Sequence, residues 1–177
     1  MKKILIVALT VIWLSALPVF NACNSQATTP MSEGFTIYLT RDNIPVSQME
    51  ALSHVEIADE PIISVNDVIS YQWDTHTIEL TQEAYKRIDE LEVPTSGKSF
   101  VVCVDKAPIY WGAFWAGYSS QSFDGVTISV KPIFPVDAFE YAIQIRVGFP
   151  SSSFFQGEDP RANPVIMESL EKAGKLK

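Results

Sequence analysis

The sequence predicts an α+β domain of two layers, a mostly antiparallel sheet of about five to six strands with two main helices, at about 82–92 and 164–173. Three observations predict it. Apolar and polar residues alternate along several short segments, as half-buried strands require. Only two stretches carry an apolar stripe at helical spacing, each opened by a capping residue and closed by a breaker. The connections are short and hairpin-like, without regular strand–helix–strand alternation and without a repeat of roughly 20 to 50 residues.

Phe35, Ile37 and Leu39 alternate with Thr36, Tyr38 and Thr40, so the domain opens on a strand that Arg41-Asp42-Asn43 breaks. Residues 46–53 then read as a short helix with Met49 and Leu52 inward, and residues 54–57 alternate like a strand into the turn-forming stretch that follows. Residues 61–73 carry Ile62, Ile63, Val65, Val68, Ile69, Tyr71 and Trp73, with Asn66-Asp67 able to start one helical turn. Asp74-Thr75 is a turn and residues 77–80 a short strand. The clearest helix begins after Thr81, whose hydroxyl can cap the free amides of the first turn, where Glu83 also suits the helix dipole. Ala84, Tyr85, Ile88 and Leu91 fall on one stripe, and Pro94 stops the run.

Residues 99–105 are apolar on both faces and so belong in the middle of a sheet. Asp105-Lys106 makes a tight turn into a returning strand at 108–115, interrupted by Gly112, where a bulge or a close approach is expected. Residues 116–124 are turn-rich, and 125–130 alternate again. Residues 139–147 form the best strand, with Phe139, Tyr141, Ile143, Ile145 and Val147 on one face against Glu140, Gln144 and Arg146. After a loop at 148–162, Asn163 and Pro164 hold N-cap and first-turn positions, Ile166, Met167 and Leu170 form the stripe, and Gly174 closes the helix.

Composition limits what this domain can be. The chain has 177 residues, 47% hydrophobic and 19% charged, which suits one compact domain and excludes multidomain, collagenous and low-complexity classes. Lys2 and Lys3 precede an uncharged apolar run at 4–17 that Pro18 ends, the anatomy of a secretory signal. The apolar stretch at 4–20 is also just long enough for an uncleaved anchor, for which about 17–25 residues are needed. Residues 1–22 therefore read as a signal peptide, 23–34 as a flexible tether and 35–177 as a single globular domain.

Phe20-Asn21-Ala22-Cys23, followed by a polar, breaker-containing stretch, resembles a bacterial lipoprotein signal peptide with its lipobox. The resemblance covers only about the first 30 residues. It implies that Ala22 precedes the cleavage site and that Cys23 becomes a diacylated mature N-terminus, anchoring the chain to a membrane of the cell envelope. A competing cut after Ala27 would release a soluble secreted protein. The domain itself resembles no family.

Loss of residues 1–22 removes Lys2 and Lys3, leaving 11 Lys and Arg against 21 Asp and Glu, a formal charge of −10. Such a surface repels phosphates, so nucleic acid is not expected as a partner and membrane attachment is expected through the N-terminus alone. An envelope protein or a small ligand remains. With only Cys23 and Cys103, a disulfide framework is not expected, and Cys103, inside an apolar run, reads as a buried small hydrophobe.

No metal, cofactor or catalytic residue is assigned from the sequence. His54 and His76 are the only histidines, with no paired cysteines and no His-Glu-x-x-His motif. Asp74, His76 and Glu79 form the one local cluster of donors, against which stands the plainer reading of a turn with a surface histidine. Gly117-Tyr118-Ser119-Ser120-Gln121 begins like a nucleophile elbow but lacks its final glycine.

The feature above background is aromatic. Tyr110, Trp111, Phe114, Trp115, Tyr118 and Phe123 crowd a stretch interleaved with glycine and serine. Adjacent residues of a strand point to opposite faces, so part of this set is a candidate binding surface, formed by Trp111, Trp115, Tyr118 and Phe123. The expectation is a non-catalytic binding or accessory module. The rivals are an exported hydrolase built around Asp74, His76 or another carboxylate, and an inert envelope spacer.

Overall fold

A computed structural model describes residues 32–49, 51–132 and 139–177. The stretch read as a signal peptide, Cys23 and most of the expected tether lie outside the described residues. Among the described residues seven strands occur in chain order: β1 (Phe35–Leu39), β2 (Val68–Gln72), β3 (Thr77–Leu80), β4 (Lys98–Val104), β5 (Ala107–Ala116), β6 (Phe123–Val130) and β7 (Ala142–Phe149). The helices are α1 (Gln82–Asp89), between β3 and β4, and α2 (Pro164–Lys172), after β7. The strands form one sheet in the order β1-β4-β5-β6-β7-β3-β2.

The α+β class holds, and the sheet is larger and more mixed than predicted. All pairs are antiparallel except β5 and β6, which run parallel with Gly112 opposite Val126 and Ala116 opposite Val130. Parallel neighbours usually need a crossover of about a dozen residues or more. Here only residues 117–122 separate them, so the chain leaving β5 must double back along the ladder at nearly full extension.

One face of the sheet is the main core. Phe35, Ile37, Phe100, Val102, Phe114, Ile128, Ile143 and Ile145 point into it, and both helices cover it, α1 with Ala84 and Ile88, α2 with Ile166 and Leu170. The sheet curls enough for its two ends to meet, because Phe35 of β1 packs edge-on against Tyr71 of β2 with ring centroids 5.9 Å apart. Beneath the β1–β4 half of the opposite face, Tyr38, Val55, Val101 and Cys103 form a second cluster with Ile44, Met49 and Leu52.

The local signals act as their chemistry dictates. The Ala84 amide donates to Thr81 Oγ1 at 3.3 Å, and the Val165 amide to Asn163 Oδ1 at 2.9 Å, capping the two helices. Asp105 and Lys106 adopt left-handed φ of 52° and 65°, the tight two-residue turn between β4 and β5. Both sheet edges are covered, which removes free strand edges. Ile37 bridges Ile63 outside β1, while the Tyr71 amide donates to the Lys175 carbonyl at 2.8 Å outside β2.

Several predicted boundaries shift. The expected helix at 46–53 is two separate 3-10 turns, Val46–Gln48 and Leu52–His54, because Met49 and Ala51 take extended conformations. The expected strand at 54–57 is a single bridge between Ile57 and Thr40. The first main helix stops at Asp89, three residues early, and the strand expected at 139–147 runs Ala142–Phe149, keeping its face. Asn66-Asp67 does form one 3-10 turn, with the Asp67 carboxylate accepting the Ser64 amide and hydroxyl, both at 2.8 Å.

Candidate functional site

The carboxyl ends of β5 and β6 lie side by side because the two strands are parallel, so the segments that follow them, Gly117-Tyr118 and Lys131-Pro132, leave the sheet together. Gly117 is required by that closeness. A Cβ there would stand 2.5 Å from the Lys131 carbonyl oxygen and 2.8 Å from the Pro132 Cα. The crossover is then pinned at Ser119, whose amide donates to the Ala116 carbonyl at 2.9 Å and whose hydroxyl donates to the Thr95 carbonyl at 2.7 Å. That hydroxyl is engaged in holding the loop after α1.

The four aromatic residues of the candidate surface have different fates. Trp115 is only 2% exposed. Its indole lies parallel to Phe123, centroids 5.1 Å apart at 8°, with Phe149 at 5.9 Å. Gly97 closes over it, since a Cβ there would fall 2.4 Å from Cζ3. Trp115 is therefore an internal prop of the crossover, not a contact surface, and its indole Nε1 has no hydrogen-bond partner among the described residues. Trp111 is half-buried, touching Phe123 at 6.0 Å and the second core cluster. Phe123 is half-buried, its ring lying where a Cβ on Gly125 would stand only 2.5 Å away.

Tyr118 is the member left outside, at 66% exposure. Beside it runs a groove of about 470 Å³ between the loop after α1, with Glu90, Glu92 and Pro94, and Lys131 after β6. A second shallow groove of about 320 Å³ is lined by Phe123, Asp124 and Phe154, the last 44% exposed. The crossover thus presents one exposed aromatic ring beside a groove lined by both acidic and basic side chains. Sequence reasoning missed Phe154, because a lone aromatic in a serine-rich loop has no periodicity to mark it.

The donor cluster around His76 is not assembled. Asp74 is exposed, and Glu79 accepts the Ser70 hydroxyl at 2.9 Å. His76 is instead 8% exposed, with left-handed φ of 51°, and its Nδ1 shares a 3.0 Å hydrogen bond with the Tyr71 hydroxyl. Its ring also meets Trp73 at 5.7 Å. Burial, and then the Arg161 cation, pull His76 below the ordinary histidine range. Arg161 donates to the Ile145 carbonyl at 2.8 Å and grips both oxygens of Asp159, which is thereby held below the usual carboxylate range. Among the described residues no group of three or more His, Cys, Asp or Glu is placed to hold a metal ion.

Cys103 is fully buried, and burial, then the Glu33 carboxylate, push its thiol up to about 12, so it stays protonated and unreactive near neutral pH. The neighbouring Tyr38 hydroxyl donates to Glu33.

Comparison of the chain with protein families, with curated proteins and with solved structures finds no match. Among the described residues no helix is long and apolar enough to cross a membrane.

Proposed function

We propose that this is an exported cell-envelope lipoprotein, diacylated on Cys23, whose folded domain is a non-catalytic binding or accessory module that engages a partner through the β5–β6 crossover. The observation that carries the reading is Tyr118. It stands 66% exposed on a short crossover, beside the groove lined by Glu90, Pro94 and Lys131, and one residue from Ser119, whose amide and hydroxyl are both hydrogen-bonded to backbone carbonyls. A large ring on a backbone pinned at Gly117 and Ser119 loses little conformational freedom on binding, which is why tyrosine serves so often as an interface anchor. The leader supports the address: a basic start, an apolar run, then Ala22-Cys23. Eleven residues separate Cys23 from Phe35, and the last of them are already fastened to the domain, the Ser32 hydroxyl and the Gly34 amide donating to Asp105 at 2.8 and 2.7 Å.

The test replaces Tyr118 with a photo-crosslinking residue in the full-length protein in its native envelope. One discrete adduct is expected, absent when the crosslinker occupies Ile69, which is exposed on β2. Identical adduct patterns at both positions, or none at either, would overturn the surface. Mass measurement of the N-terminal fragment tests the anchor independently, a diacylated Cys23 being the expected species.

A further inference from the structure

The sheet is split beside the site. The β6–β7 ladder runs from Phe123 opposite Phe149 to Ile128 opposite Ile145, and there it ends. Beyond that point β6 stays with β5 as far as Val130, whereas β7 turns to β3, pairing Gln144 with Thr77 and Ile143 with Ile78. The Ile145 amide likewise donates to the His76 carbonyl at 2.9 Å. The strands part, and α1 bridges the gap. At the fork lies a cleft of about 280 Å³, lined by the apolar Ile88, Val130 and Ile143 and by the polar Ser129 and Gln144.

Its charge runs against the rest of the molecule. Lys131 and Arg146 both line the cleft, and Asp89 is the one acid among its lining residues. Arg41, Arg87 and Arg161 are each tied to a carboxylate, but Lys131 and Arg146 form no ion pair among the described residues. A chain of net charge −8 therefore brings to one partly apolar cleft two cations that have no ion-pair partner among the described residues. Two like charges at one cleft repel, and the cost is recovered when an anion lies between them. The volume is at the small end of ligand sites, which limits the occupant to a few heavy atoms.

We propose that the fork between β6 and β7 is a binding site for a small carboxylate carried on a short apolar body. The carboxylate sits between Lys131 and Arg146, with Ser129 lining the same cleft and Gln144 held beside it by its amide's 3.0 Å hydrogen bond to the Thr75 carbonyl, and the apolar part lies on Ile88 and Ile143. A planar guanidinium matches a carboxylate with two parallel hydrogen bonds. The site adjoins the Tyr118 groove through Val130 and Lys131 but does not depend on a partner binding there.

The probe is valerate, titrated into the isotopically labelled full-length chain in lipid nanodiscs and followed by amide and side-chain shifts, with pentanol and pentylammonium as controls. Valerate is expected to shift Ser129, Val130 and Gln144 saturably, and pentylammonium is expected not to. Arg146→Gln and Lys131→Gln should each weaken valerate about fivefold or more. Lys106→Gln, in the exposed turn between β4 and β5, and Tyr118→Ala should leave it unchanged. Equal binding of valerate and pentylammonium, absence of saturable shifts, or indifference to both cleft substitutions in folded protein would overturn the site. Because Tyr118→Ala is silent here, failure of the cleft and failure of the partner surface are read separately.

Discussion

Gly112→Ala probes the part of the fold that sequence left open, the junction of antiparallel and parallel pairing. Gly112 faces Phe100 across the β4–β5 ladder and Val126 across the β5–β6 ladder. An added Cβ would stand 2.6 Å from Phe100 Cζ and 2.6 Å from the Val126 carbonyl oxygen. Comfortable carbon contacts lie at about 3.5–4.0 Å, so the methyl intrudes by roughly 1 Å on two sides at once. Neither neighbour yields easily. Phe100 is fully buried against Phe114, centroids 5.0 Å apart, and the Val126 oxygen belongs to backbone.

Overpacking a core costs about 1–3 kcal/mol, and two clashes, one against main chain, place Gly112→Ala at about 3 kcal/mol or more. For a chain of this size that is a fall in Tm of roughly 6–12 °C. Thermal unfolding of the full-length protein, followed by tryptophan fluorescence and circular dichroism, measures it. A double-mutant cycle with Phe100→Leu separates the two contacts: removing ring atoms should recover about 1 kcal/mol of coupling, while the carbonyl clash persists. A Tm within about 2 °C of the parent for Gly112→Ala would refute the reasoning, since the ladders could not then approach Gly112 from both sides.

Trp115→Ala should cost about 3–5 kcal/mol, as buried aromatic truncations do, while Tyr118→Ala should fall within about 0.5 kcal/mol of the parent. Equal effects in urea unfolding would mean that the assignment of prop and contact residue is wrong. His76 makes stability depend on pH. Its folded pKa lies below the ordinary 6.5 because of burial and Arg161, so the unfolded chain takes up a proton first as pH falls. Stability is therefore full above about 6.5 and is lost as pH drops from there to the folded value. His76→Asn tolerates the left-handed backbone and keeps an acceptor for Tyr71, and should flatten the profile between about pH 7.5 and 5. An unchanged slope in that variant would remove His76 as the cause.

The termini of the helices were legible because capping is local chemistry: Thr81, Asn163 and Pro164 act on amides within three residues of themselves. The faces of β1 and β7 were legible because apolar and polar residues alternate along them with a period of two, and β4 was legible as an inner strand because it is apolar on both faces. Three-residue 3-10 turns around Met49 were not, since an apolar pair spaced by three fits a helix and a pair of turns equally. Nor was the fate of each aromatic: alternation puts Trp111 and Trp115 on one face, but only Gly97, Phe123 and Phe149 closing over Trp115 decide that it is inside.

By itself the sequence determined the acidic balance, the α+β class, the capped helices and an aromatic cluster in a glycine-serine setting. Tertiary structure alone decided that β6 runs parallel to β5, that Tyr118 is the aromatic left outside, and that Lys131 and Arg146 share a cleft where the sheet divides. The physical reason is range. Caps, turns and strand faces depend on residues a few positions apart, whereas strand partners, and the cavities left where partners diverge, depend on contacts between distant segments that no local pattern records.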